Sequence, residues 1–308
     1  MTESAPLPGE RFEFDGIVVH TAGRGAPLLL VHSINATSSA AEVWPLYVRY
    51  SASRQVFAVD LPGFGHSLRS DRAYTPRLMT DALQAVAQQV RQRCGGVPLD
   101  ALAVSLSCEF LARAASESPA HWGRLALVSP TGFRGLRAWR GRPQSTRAVP
   151  GMHRLLSVPL WGHRLFAALT RPGVVRYFLE RTWGGQAIDE PMYQAAVQAA
   201  RAPGAHHAPL QFLSGGLFSA DIPDVYEALR SPVWASHGVR GDFTDYRGMA
   251  LVPACAVWRR TVYPTGALPY FEVPEDFNAD FDRFLASPAS ILPDGMQVDA
   301  GSPRQRLE

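Results

Sequence analysis

The chain has no lysine: all 30 of its basic residues are arginine. That absence removes Schiff-base chemistry, lysine general bases and the pyridoxal-phosphate enzymes. Cysteine is scarce too. Cys94, Cys108 and Cys255 are odd in number and widely spaced, which suits a reducing compartment and makes no zinc pattern. No apolar run approaches membrane-spanning length. Residues 1–6 have neither the basic nor the apolar region of a secretory leader, so a cytoplasmic protein without a membrane contact is expected. Excess charge is also small, at +3 with the arginines scattered, which gives a nucleic-acid partner little ground. Phosphate-loop, dinucleotide and H-E-x-x-H motifs are missing, so neither cofactor nor metal is expected, only a small-molecule substrate. Nothing in the sequence reports on oligomeric state. The nine histidines stand at 20, 32, 66, 121, 153, 163, 206, 207 and 237, with none beyond.

What is present is a sizeable core: 46% of 308 residues are hydrophobic, enough for one large domain or a core with an insertion. Arg11–Phe14 and Ile17–Thr21 read as short strands around an Asp15-Gly16 turn. Leu28–His32, Val56–Val59 and Leu125–Ser129 read as buried strands, and Leu99–Val104, Pro232–His237 and Ala256–Tyr263 as further strands. Helical patterns lie between and after them, over 39–50, 76–94, 109–118 and 274–286. The alternation predicts an α/β protein whose mostly parallel sheet is flanked by helices, with chemistry at the carboxyl ends of the strands. His32, Asp60, Ser105 and Ser129 fall at such ends. From Phe133 to Arg230 the rhythm becomes helical, over Gly151–Glu180, Met192–Arg201 and Gln211–Ser219. This predicts a helical lid at 133–230, inserted between core segments 11–132 and 231–286, with flexible termini at 1–10 and 287–308.

One stretch stands out. In Leu99–Glu109 an apolar strand meets a helix at Ser105 with almost no connection. A turn that tight needs small residues two before and two after its apex, and Ala103 and Ser107 supply them. Centring on Ser107 would put Glu109 where a small residue must sit. The pattern is that of a nucleophile elbow with both usual glycines replaced; the plainer alternative is a serine capping a helix.

With Leu28–His32 and its loop, Asp60–Ser67, Ala103–Ser107, Pro232–Asp242 and Gly266–Glu272 in this order, residues 11–286 resemble the α/β-hydrolase fold superfamily. The resemblance implies that Ser105 is the nucleophile and that the backbone N–H groups of Ile34 and Leu106 form an oxyanion hole. Asp242 would be the acid, with Asp245 behind it. The lid would supply pocket walls from Trp161, Phe166, Tyr177, Phe178, Phe212 and Phe218, which are as readily lid core. Ser33 and Ala36 replace glycines near the oxyanion loop, and Asn35 adds a polar side chain there.

The resemblance also implies a histidine after the last strand, and there is none. Ala267 stands where it belongs, and Tyr270 holds the next place. A serine hydroxyl is a poor nucleophile without a base, and a carboxylate near its reference pKa of about 4 is a weak one. His206 and His207, between Gly204 and Pro209 where the lid returns to the core, are candidates to hang over the pocket, and His207 is the expected base. His237 is a further candidate; His32 and His66 match structural landmarks, and Cys108 is expected to be packed in the helix. The expected function is attack by Ser105 on an ester or acyl group of a small, partly apolar molecule, with a non-standard base. The alternatives are a non-hydrolytic enzyme of the same fold (elimination, cyclisation or C–C bond reaction) and a binding protein that has lost the chemistry.

Overall fold

The computed structural model describes residues 7–135, 140–158, 160–251 and 258–288. The outer parts of the two expected terminal arms, Cys255 and the expected start of the last strand at Ala256 lie outside the described residues.

A hairpin opens the chain, β1 (Glu10–Phe14) and β2 (Ile17–Ala22), turned at Asp15-Gly16 with both residues at positive φ. The near-continuous apolar runs become β3 (Pro27–Val31), β4 (Gln55–Asp60), β5 (Leu99–Val104) and β6 (Trp122–Val128). β7 (Val233–Gly238) and β8 (Trp258–Tyr263) complete an eight-stranded sheet of order β1-β2-β4-β3-β5-β6-β7-β8. Pairing is antiparallel from β1 through β2 to β4 and parallel elsewhere.

Side-chain alternation divides the core. Leu29, Val31, Ala101 and Ala103 face one helical layer, while Leu28, Leu30, Leu102 and Val104 face the other. The first layer holds α2 (Pro76–Arg93) and α3 (Ser107–Glu117); the second holds α1 (Trp44–Ser51) and, at the chain's end, α11 (Pro274–Leu285). Each fully buried leucine contributes about 1.5–3 kcal/mol, and burial on both faces is why these strands read as near-continuous apolar runs. Thr75 Oγ1 accepts the Leu78 N–H at 3.1 Å and Pro76 opens α2, a well-capped start.

Between β6 and β7 lie α4 (Met152–Leu156), α5 (Gly162–Leu169), α6 (Pro172–Trp183), α7 (Glu190–Ala199), α8 (His207–Leu213) and α9 (Ile222–Glu227). The helical pattern expected over Gly151–Glu180 is therefore three helices. Pro172, lacking an N–H, starts a new helix instead of continuing α5. The helix expected at Gln211–Ser219 begins earlier, at His207, and stops at Leu213, because Gly215 turns the chain at φ +80°. α9 returns the insert to α3 through a buried ion pair, Arg113 Nη2 to Asp221 Oδ1 at 2.6 Å.

The last turn of α6 lies backbone to backbone on the loops after β7 and β8. Gly184 caps the helix at φ +63°, and a Cβ there would come within 2.5 Å of the Gly241 nitrogen. A Cβ on Gly241 would meet the Arg181 carbonyl at 2.3 Å, and one on Gly266 the Trp183 carbonyl at 2.4 Å. The helix-end carbonyls are thus bonded by main chain: Asp242 N–H to Arg181 O at 3.2 Å and Ala267 N–H to Thr182 O at 2.9 Å. Beyond them α10 (Pro269–Glu272) leads into α11. Among the described residues no helix is long and apolar enough to cross a membrane.

Candidate active site

β5 ends at Val104, paired with Val128, and Ser105 breaks from it with φ +55°. Its N–H still bonds the Val128 carbonyl at 2.8 Å, and α3 starts two residues on. A side chain in the left-handed region costs about 1–2 kcal/mol and persists only where its surroundings impose it. Here Ser107 Oγ donates to the His32 carbonyl at 2.6 Å and the Cys108 thiol faces the Ala103 carbonyl at 3.2 Å, so both sides of the turn are pinned. No side chain caps α3, which removes the capping alternative for Ser105. Cys108 is fully buried, and burial pushes its thiol pKa well up, so it is packed as expected.

Ser105, half-buried, opens on a cavity of about 320 Å³. Ile34 and Leu106 flank it, and neither backbone N–H has a hydrogen-bond partner among the described residues. The segment between β6 and β7 supplies apolar walls from Leu169, Val175, Phe178, Leu179, Met192, Phe212, Leu213 and Phe218, and Phe243 and Leu268 add to them from the loops after β7 and β8. Of the six expected wall residues, Phe178, Phe212 and Phe218 line the cavity. Trp161 and Tyr177 are exposed outside it, and Phe166 is buried beside His206.

Asp242 and Ala267 reach the same cavity. The Asp242 carboxylate is gripped by both Nε and Nη2 of Arg181, whose Nη1 also reaches the Tyr177 hydroxyl at 3.2 Å. Asp245 lies off the cavity, where Arg247 holds its carboxyl well below the usual range. At Ala267 the cavity meets a methyl group. The residue's main chain is fully used, its N–H on Thr182 O and its carbonyl taking the Ser129 hydroxyl at 2.7 Å.

No histidine is among the described residues lining the cavity. This corrects the expectation for His207. Its Nδ1 lies 3.5 Å from Asp71 and its ring centroid 3.9 Å from that of His206, so the imidazole is turned to the loop before α2 and not to Ser105. His206 stacks between His163 and His207, and burial with the two neighbouring imidazoles lowers its pKa to about 4. His237 stacks on Tyr246 at 3.8 Å, with Nδ1 2.9 Å from the Gly238 carbonyl. His32 is spent twice: Nε2 accepts the Leu61 N–H at 3.1 Å and Nδ1 donates to Ser33 O.

His20, Asp60 and His66 bring ligand-type atoms within 4.8 Å of one another, the one such group among the described residues. The Asp60 carboxylate there already accepts from the Ala40 and His66 N–H groups at 2.7 and 2.9 Å. Burial alone would raise its pKa, but hydrogen bonds from His20 and His66 outweigh burial and hold it far below the usual range. The trio reads as an internal hydrogen-bond knot.

Glu42 was not singled out by the sequence. It lies in the short helical turn Ala40–Val43, is 5% exposed, and lines the cavity. Oε2 accepts the Ser33 N–H at 2.6 Å, and burial raises its pKa to about 7. A lone glutamate between alanines and a valine looks like any solvated helix position, so no sequence signal marks it.

No protein-family model and no curated protein matches the sequence. Solved structures do match in shape. A probable hydrolytic enzyme of Pseudomonas aeruginosa superposes with a TM-score of 0.67 at 18% identity, over 90% of this chain and 93% of that one. A 2-hydroxy-6-oxo-6-phenylhexa-2,4-dienoate hydrolase of Rhodococcus gives 0.68 at 17% identity, over 90% and 98%. An enol-lactonase of Burkholderia xenovorans gives 0.63 at 16%, over 90% and 100%.

Proposed function

We propose that this chain, which has the α/β-hydrolase fold, acts on an ester or acyl group of a small, partly apolar molecule through Ser105. The observation that carries the reading is Ser105 held at φ +55° on a cavity also lined by Ile34 and Leu106, whose N–H groups have no partner among the described residues. In this reading those two N–H groups would stabilise the oxyanion that forms when a hydroxyl attacks a carbonyl, often the largest catalytic contribution. Attack gives an acyl-enzyme, which water then cleaves. The helices between β6 and β7 serve as a lid whose apolar walls select a compact substrate. The neighbours named for a dienoate hydrolase and an enol-lactonase support carbonyl chemistry on small molecules.

A fluorophosphonate probe tests the reading. A single adduct is expected on Ser105, lost in Ser105→Ala; a protein that stays unlabelled sinks the proposal. One observation favours a second reading, a non-hydrolytic reaction in the same cavity: the methyl of Ala267 where a triad needs a base. That reading requires a product equal in mass to its substrate, or lighter by a leaving group, with no water added.

A further inference from the structure

The cavity offers three titratable side chains, Glu42, Arg181 and Asp242. Arg181 stays protonated at any working pH. Asp242 already spends both carboxylate oxygens on Arg181 in a charge-assisted pair. Glu42 differs from both: it is buried, has no cationic partner among the described residues, and is met by groups that carry no charge. Those groups are the N–H and hydroxyl of Ser33, at the start of the loop that carries Ile34; the Tyr270 hydroxyl of α10 donates to the Glu42 main-chain carbonyl at 3.4 Å.

From this placement we infer that Glu42 is the catalytic proton acceptor and donor of the Ser105 site, doing the work of the missing histidine. The inference rests on the serine reading above. As Ser105 Oγ bonds to the carbonyl carbon, its proton passes to the Glu42 carboxylate and the carbonyl electron pair moves to oxygen. When the intermediate collapses, the bond to the leaving group breaks and Glu42 returns the proton to the departing oxygen. Water repeats the two transfers in deacylation. Burial tunes the group for this: a carboxyl titrating at about 7 is a far better base than one near 4. Its hydrogen bond from Ser33 links the same carboxylate to the loop whose next N–H belongs to Ile34.

The experiment is the rate of fluorophosphonate labelling of the full chain against pH, for wild type and for Glu42→Gln. Glutamine keeps the size and the acceptor for the Ser33 N–H. The expected wild-type rate rises through an inflection near pH 7, and Glu42→Gln labels about 100-fold more slowly at pH 8 with the inflection gone. Equal rates in the two proteins overturn the assignment to Glu42 and leave Ser105 standing. Should the variant fail to fold, the wild-type curve decides alone: a rate flat between pH 6 and 8 overturns the inference. Wild type that never labels overturns the serine reading, and this inference with it.

Discussion

Replacing Ser105 by glycine should remove activity and stabilise the protein. Its φ of +55° lies where any Cβ crowds the following carbonyl, at a cost of about 1–2 kcal/mol. Glycine escapes that cost but gives the unfolded chain more freedom, which offsets about 0.4–1 kcal/mol. The net expectation is that Ser105→Gly is about 0.5–1 kcal/mol more stable than Ser105→Ala, which keeps the strain and lacks the same hydroxyl. In a chain of this size that is a rise in melting temperature of roughly 2 °C. Urea denaturation of the two variants side by side cancels the loss of Oγ and isolates the backbone. If Ser105→Gly unfolds at lower urea than Ser105→Ala, the elbow stores no strain and the reasoning fails.

Glu109 is 1% exposed, takes the Thr131 hydroxyl and the Ser219 N–H, and burial raises its pKa from 4.5 to about 7. Between those values the folded state binds more protons than the unfolded, so stability falls as pH rises from about 4.5 through 7, by about 3 kcal/mol. Glu109→Gln should flatten urea midpoints across that window, leaving the same-signed slope from Glu42; parallel curves for variant and wild type would refute this. Asp221→Ala strands the Arg113 charge and should cost about 3–5 kcal/mol. The double variant Arg113→Met, Asp221→Leu should recover most of that loss, and thermal melts that rank the two the other way would contradict it.

Most of the sheet is legible in the sequence because strands buried on both faces are largely apolar, as Leu28–Val31 is throughout and Leu99–Val104 is apart from Asp100, which Arg54 and Arg124 neutralise. The elbow is legible for a steric reason: only small residues fit at 103 and 107. The helices between β6 and β7 are less so, since Pro172 and Gly215 set their ends and tertiary contacts set their faces. Asp242 is found by its place after β7, but its capture by Arg181, 61 residues away, leaves no local trace. His207 reads as a base because it stands in a loop returning to the core; its ring packs against His206 and faces Asp71, contacts that the local sequence does not reveal. Glu42 is invisible because burial of one carboxylate depends on what α7 and α10 lay over it.

The seating of α6 has a consequence for how substrates get in. A helix whose last turn is seated on the loops after β7 and β8 through Gly184, Gly241 and Gly266, where three Cβ atoms have no room, is anchored at that end. Val175 and Leu179 on it then set a boundary for the bound molecule. Of the cavity-lining residues, Phe178 on α6, Leu213 at the end of α8 and Phe243 are exposed, at 52%, 45% and 54%. A broader substrate range is therefore to be sought by changing Phe212 and Leu213, while the same effort spent on the last turn of α6 would strain the joint that holds Asp242 and Ala267 in place.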